Sequence, residues 1–361
     1  MGLRAPVHRD EGEFMEVFRL WAGGDAHVGT DLRVSQRTSL KDAILQAENG
    51  GEEGGPPFDW DIMFDIGDLS GSQTPPQDEE GEEVVAQYSV STKHTREDFY
   101  NIVGNHDASG PYEACQWWFK KWVDPMGEHP EYSGVHANKR PYPVEGQWDR
   151  YSFKVGNILF LAMGDRNDGG PPVGRGERGG FPAGAVTMET FEWWRDMVLS
   201  NQDKNIITAH HHMLKETTVA SFDWVGVDEG YHGRFEEGAP IGASYLYWVG
   251  GEPDSGRFEA ILDENPRAID LWLGGHTHTN PDDRMCGRSH VEQKWGATFI
   301  NISALSKHHG KKNVPMSRLL TFVEGSTEVN VRCYLHTSDY AAQGWYEPSE
   351  RSISFRYPFS Y

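Results

Sequence analysis

Short apolar runs that end in a glycine turn, with a histidine or an acid just beyond it, recur along this chain. Residues 17–22 make a strand-like run that passes into Gly23-Gly24-Asp25-Ala26-His27. Residues 60–66 mix apolar positions with Asp61 and Asp65 and end at Gly67-Asp68, while residues 99–103 end at Gly104-Asn105-His106-Asp107. Residues 158–163 are apolar throughout and predict a buried strand. Residues 187–199 have helical character, and residues 205–209 predict a strand that runs into His210-His211-His212. A further strand over 269–273 leads to Gly274-Gly275-His276-Thr277-His278. After a strand over 298–302, the alternating stretches 317–324 and 328–335, separated by Gly325, predict a hairpin.

Strands that each deliver polar side chains from their C-terminal ends describe an α/β scaffold with a site along one rim, where such sheets place their ligands. No internal repeat and no linker divides the chain, so one domain over 1–361 is expected. It is elaborated by insertions at about 165–185 and 221–258 and closed by a C-terminal hairpin and tail over 313–361. The Gly-, Pro- and acid-rich stretches 50–57 and 73–83 read as exposed loops. The two long insertions are irregular and carry aromatics, among them Trp224, Tyr231, Tyr245 and Tyr247. Loops of that length inside a compact domain are functional or disordered. They are expected to wall a substrate cleft, their aromatics stacking on a ligand or packing on one another.

Composition narrows the classes. Of 361 residues, 37% are hydrophobic and 24% charged, the balance of a chain that folds around a core. No stretch approaches the ~18 apolar residues of a membrane span, and the first residues lack the apolar core of a secretion signal. A cytoplasmic chain without membrane contact is therefore expected. Lys and Arg total 33 against 55 Asp and Glu, a net charge of −22, which repels polyanions at long range and argues against strong nucleic-acid binding. Cys115, Cys286 and Cys333 form no CxxC pair, so neither a disulfide framework nor a thiolate zinc site is expected. Any metal must be held by His, Asp and Asn.

Histidine is abundant, 16 in all, and it clusters in those turns. Taken singly, Asp25 reads equally as a turn residue, Asp68 as a helix cap, and any one histidine as a satisfied surface or core side chain. Together they make a pattern. Asp25 and His27 are spaced i, i+2, which turns two side chains to one side of an extended chain, and His276 and His278 repeat the spacing. Carboxylate oxygen, amide oxygen and imidazole nitrogen suit zinc, manganese or iron, and there are enough such ligands for two ions with one carboxylate shared.

The ordered set Asp25-Ala26-His27, Gly67-Asp68, Gly104-Asn105-His106-Asp107, His210 and Gly275-His276-Thr277-His278 resembles the signature of the calcineurin-like metallophosphoesterase superfamily. All five blocks stand in the family's order. The resemblance implies a four-layer α/β/β/α sandwich of two mixed sheets, with a dinuclear site at the strand ends. It implies that Asp25, His27 and His278 hold one metal, that Asn105, His210 and His276 hold a second, and that Asp68 bridges both. His106, oriented by Asp107, would serve near the phosphate and its leaving group. Within the histidine triple, the family's spacing from Ile207 places the ligand at His210. His211 and His212 are left as packing or substrate-wall residues, and Arg166 as an arginine on the site rim.

Departures from individual branches refine the expectation. Purple acid phosphatases place a tyrosine where this chain has Gly71, and protein phosphatases place an arginine where it has Val103. The combination is most similar to the phosphodiesterase-like branch, which implies a small-molecule phosphodiesterase working through a hydroxide between two manganese, zinc or iron ions. A phosphomonoesterase on the same site is the alternative, and a non-catalytic scaffold, which in this superfamily has lost ligands, is a third. The partner is expected to be a small-molecule phosphate ester.

Overall fold

The structure, a computed structural model, describes residues 16–71, 75–107, 116–168, 181–223, 244–307 and 313–361, and the backbone of 234–236 and 239–241. Two large sheets carry the architecture. In the first, the strands run in the order Gly344–Trp345, Glu328–Leu335, Met316–Val323, Val17–Gly23, Ile62–Asp65 and Phe99–Asn101, with Arg351–Ser354 also paired to Glu328–Leu335. In the second, the order is Val291–Lys294, Ala297–Asn301, Leu271–Gly274, Asn205–His210, Ile158–Met163, Arg150–Val155 and Glu145–Gln147.

Both sheets are mixed. Val17–Gly23, Ile62–Asp65 and Phe99–Asn101 are mutually parallel, as are Ile158–Met163, Asn205–His210, Leu271–Gly274 and Ala297–Asn301. Parallel neighbours end on one edge, so every glycine turn that bears a histidine or acid is delivered to one side of its sheet. The expected hairpin is present, with Leu320 opposite Val331 in an antiparallel register.

Alternation along the strands sorts side chains into layers. Phe18, Leu20 and Ala22 face Phe160, Ile207 and Leu273 across the inter-sheet core. Between them on the first sheet, Trp21 and Met63 face outward onto Leu40, Ile44, Val84 and Trp118 of the helices Ser39–Asn49, Asp78–Tyr88 and Trp117–Trp122. On the second sheet, Leu159, Leu161 and Trp272 face outward onto Trp194 and Phe258 of the helices Met188–Ser200 and Gly256–Glu264. The result is helices, sheet, sheet, helices, an α/β sandwich. Among the described residues, no helix is long and apolar enough to cross a membrane.

One expectation about loops changes, and for another the structure selects between the two alternatives. The acid-rich stretch over 73–83 was expected as an exposed loop, yet Asp78–Tyr88 is a helix with Asp78, Glu79 and Glu80 in its first turn, where carboxylates complement the helix dipole. Val84 and Tyr88 seat it on the first sheet. In the second insertion, Tyr245 and Tyr247 are only 2% exposed and pack on each other and on Trp248, so they pack rather than present a stacking face. Trp224, Tyr231 and residues 169–180 lie outside the described residues.

The loop that leads into Phe99–Asn101 is held by one carboxylate. Glu48, at the end of the helix Ser39–Asn49, accepts from Ser91 Oγ at 2.5 Å, Thr92 N at 3.0 Å, Thr92 Oγ1 at 2.9 Å and Lys93 N at 3.1 Å. Burial opposes ionisation, but these donors favour the charged form and bring its pKa from 4.5 down to about 2. A depressed carboxyl stabilises the fold above its unfolded pKa and loses that contribution as pH falls towards the folded value. Glu48→Gln is expected to cost about 1–3 kcal/mol. Denaturant melts should show a constant gap between the two proteins above pH 5 or so that narrows as pH falls from 4.5 towards 2.

Candidate metal centre

The turns of the two sheets meet edge to edge. Asp25 N donates to Gly67 O at 2.7 Å and His27 N to Asp68 O at 3.0 Å, which lays the first two turns side by side. The sheets are joined where His211 Nδ1 donates to Ile66 O at 2.7 Å and where Asp165 N donates to Val103 O at 3.0 Å. Asp25, His27, Asp68, His276 and His278 all adopt left-handed backbone, with φ between 44° and 69°. Side-chain-bearing residues seldom occupy that region, and five at one site mark a backbone over-determined by its surroundings. Gly104 makes the close approach possible, since a Cβ there would lie 2.2 Å from both the amide nitrogen and Oδ1 of Asp68.

The side chains converge. Asp25 Oδ1 lies 3.0 Å from His278 Nε2, which lies 3.1 Å from His27 Nε2. Asp68 Oδ1 accepts from His106 N at 2.7 Å, and its Oδ2 lies 3.2 Å from His211 Nε2, 3.9 Å from His27 Nε2 and 4.0 Å from His106 Nε2. His27 Nδ1 donates to Ser70 O at 2.9 Å. A carbonyl only accepts, so the Nδ1 atoms of His27 and His211 carry protons and their Nε2 atoms face the centre, the orientation in which an imidazole can offer Nε2 to a metal.

Four overlapping groups of donors lie within 4.8 Å of one another: Asp25, His27 and His278; His27, Asp68 and His106; Asp25, Asp68 and His211; and His211, His212 and His276. Asp68, a member of two of these groups, has its Oδ2 without a hydrogen-bond partner among the described residues, and so has the buried Oδ1 of Asn105. Buried acceptors are rarely left so, and a cation would satisfy both. Burial would hold the His211 imidazole neutral, but the Asp68 and Asp25 carboxylates lift its pKa to about 10. Burial likewise opposes charge on Asp25, and His211 and His278 outweigh it, lowering its pKa. The centre draws positive charge, and its imidazole, carboxylate and amide oxygen donors fit borderline divalent ions.

The candidate residues are not all placed alike. Asp25, His27, Asp68, Asn105, His106, His276 and His278 stand at the strand ends, with His106, His276, His278 and Asn105 between 4% and 7% exposed at its mouth. His210 stands apart from the four clusters. Its Nδ1 meets the backbone of His212 at 3.0 Å to N and 3.1 Å to O, and burial keeps it neutral with a pKa of about 3. The imidazole that faces Asp68 is that of His211, the next residue, at 3.2 Å. Asp107 serves the backbone. Its carboxylate accepts from Asp68 N at 3.0 Å, Gly104 N at 2.8 Å and Ser70 N at 2.8 Å, pinning two turns together.

Arg166 is bound up on the rim, 2.8 Å from Asp168 and 3.7 Å from Asp149, and lies over the Trp148 and Phe181 rings. Its neighbours do more. Asp165 is fully buried 2.8 Å from His212 Nδ1, and Asn167 Nδ2 donates to Asn105 O at 2.7 Å. Burial opposes ionisation of Asp165, but His212 outweighs it and brings the pKa to about 2. His212 in turn lies against His276, ring centroids 4.0 Å apart. Asp165 and Asn167 were missed as positioning residues, although their place after an apolar strand was the available signal. Glu80 was missed too: it accepts from Gly71 N at 2.9 Å, Gly29 N at 3.2 Å and Ser70 Oγ at 3.0 Å, behind Asp68.

A family model described as Metallophos, calcineurin-like phosphoesterase, matches residues 18–280. No curated protein matches. Among solved structures, a conserved uncharacterized protein of Streptococcus pneumoniae TIGR4, described as a predicted phosphoesterase, is 10% identical over 94% of this chain and 99% of its own, with a TM-score of 0.35. GAP50 of Plasmodium, described as the anchor in the inner membrane complex, is 8% identical over 95% and 90%, with a TM-score of 0.47. Vps29 of Chaetomium thermophilum is 10% identical over 95% and 97%, with a TM-score of 0.34.

Ions that bind only the folded chain stabilise it by mass action. Returning manganese or zinc to chelator-stripped protein at about 100 times the dissociation constant is expected to add about 2.7 kcal/mol to unfolding. It would be read as a rise in Tm; an unchanged melt would show that the cluster binds neither ion.

Proposed function

We propose, from the premise that this chain belongs to the calcineurin-like phosphoesterase family, that it is a small-molecule phosphodiesterase whose centre takes two metal ions. Membership makes the chain a metal-dependent hydrolase of phosphate esters. The overlap of the four donor groups at Asp25, His27, Asp68 and His211 supports a centre for two ions. In this reading Asp25, His27 and His278 hold one ion, Asn105, His211 and His276 hold the other, and Asp68 lies between. His211 takes the place first given to His210 because its Nε2, not that of His210, faces Asp68 and Asp25.

Bound there, metal ions supply Lewis acidity towards a phosphate and an activated water. The protein's own residues orient the donors and supply protons. Asp107 fixes the turns of Asp68 and Asn105 through three backbone amides. Asn167 holds the Asn105 backbone, and Asp165 holds His212 against His276. His106, on the mouth and 4.0 Å from Asp68, is placed to give a proton to the leaving alkoxide oxygen. The net charge of −22 disfavours a polyanionic substrate and supports a small ester.

Asp68→Ala is expected to lose activity and metal together. His211→Ala should lose metal that His210→Ala retains, as counted by elemental analysis; equal loss would return the role to the histidine pair. His106→Ala should keep its metal and lose about 10²–10⁴ in kcat, most for poor leaving groups. The ratio of kcat/KM for bis-(4-nitrophenyl) phosphate over 4-nitrophenyl phosphate, with manganese and with zinc, should exceed one. A ratio well below one would make the protein a phosphomonoesterase, and no turnover of either ester would favour a scaffold.

A further inference from the structure

Away from the metal centre, one buried charge, Arg318, stands without a counter-charge among the described residues. Arg318 lies on Met316–Val323 with the same parity as Leu320 and Phe322, both members of the inter-sheet core, so it points between the sheets. It is fully buried, and its Nε, Nη1 and Nη2 have no hydrogen-bond partner among the described residues. A guanidinium carries five N–H donors and does not lose its charge in proteins. Burying such an ion unpaired costs several kcal/mol, more than an ordinary packing gain returns.

Among the described residues, no negative group pairs with Arg318. Cys333, its cross-strand neighbour, is held as a thiol by burial. His290 is kept neutral by burial and by Arg318 itself. Asp282 gives its Oδ2 to the hydroxyls of Tyr340 and Tyr346, and Glu292 is taken by Ser289 and Arg288. What Arg318 does line is a cavity of ≈ 20 Å³, shared with His290, Ser289, Ser349 and a second arginine, Arg351. One water needs about 10–15 Å³, so the space is of a size to take one monatomic ion beside the guanidinium.

We propose that this cavity binds a single halide ion, chloride under ordinary conditions, as the counter-ion of Arg318. An anion here completes the charge balance at the end of the inter-sheet core. It also lies beside the His290–Thr279 hydrogen bond of 2.7 Å, next in sequence to His278. With an overall charge of −22 the chain does not collect chloride at long range; the selectivity is local.

The test uses the metal-loaded full chain. At matched ionic strength, replacing sodium gluconate by sodium chloride or bromide is expected to raise Tm by about 3 °C or more. Arg318→Met, close in volume and apolar, should lose that halide-specific rise. A halide response that persists in the variant, or equal Tm in gluconate and chloride for the native chain, overturns the proposal. Should Arg318→Met fail to fold, crystals of the native chain grown in bromide decide: an anomalous peak against the Arg318 guanidinium supports the site. Electron density there without anomalous signal means water and overturns it.

Discussion

Two buried carboxylates, Asp25 and Asp68, face four imidazoles where the ends of two sheets meet, and the surrounding backbone is bent to keep them there. Burial opposes the charge on Asp25. Each acid is held by backbone amides, Asp25 by His276 N at 3.0 Å and Asp68 by His106 N at 2.7 Å, and each lies against His211. Positive charge at this point, whether proton or metal, is what makes the arrangement stable. The strained turns, the glycine at Gly104 and the pinning acid Asp107 follow from bringing those groups together.

Such a site needs a rigid support. Left-handed backbone at five side-chain-bearing residues costs about 1–3 kcal/mol each, and burying charged and polar groups costs more. The sandwich bears this through three apolar layers, one between the sheets and one beneath each set of helices. Positioning groups stand behind the candidate donors: Glu80 behind the Asp68 turn, Asn167 on the Asn105 carbonyl, Asp165 on His212. Each is a polar group with a single geometric task, and together they hold donors in place ahead of any metal.

The strands that carry chemistry were legible because their glycine turns end apolar runs, as at Gly23, Gly67, Gly104 and Gly275. The strand Arg150–Val155 and the helices Val28–Ser35 and Ser39–Asn49 were not singled out. Polar positions interrupt each of these segments, and their apolar faces emerge only when packed on a sheet. The helix Asp78–Tyr88 was hidden by its acids, which look like a solvated loop until the helix dipole and the partners of Glu80 are known.

The sequence by itself determined which chemistry the chain carries: the donor types, their order, the strand-then-turn grammar that sends them to one rim, and the family they resemble. These are local properties, written in spacing and in glycines that sharp turns require. Only the tertiary structure decided which imidazole of His210-His211-His212 faces the carboxylates, because a strand end can rotate its last side chains and the choice rests on Ile66 O across the sheet junction. It alone decided that Asp107 serves three backbone amides, and that Arg318 stands in the core without a counter-charge among the described residues. Those outcomes depend on atoms far apart in the chain, and no local pattern encodes a distance between them.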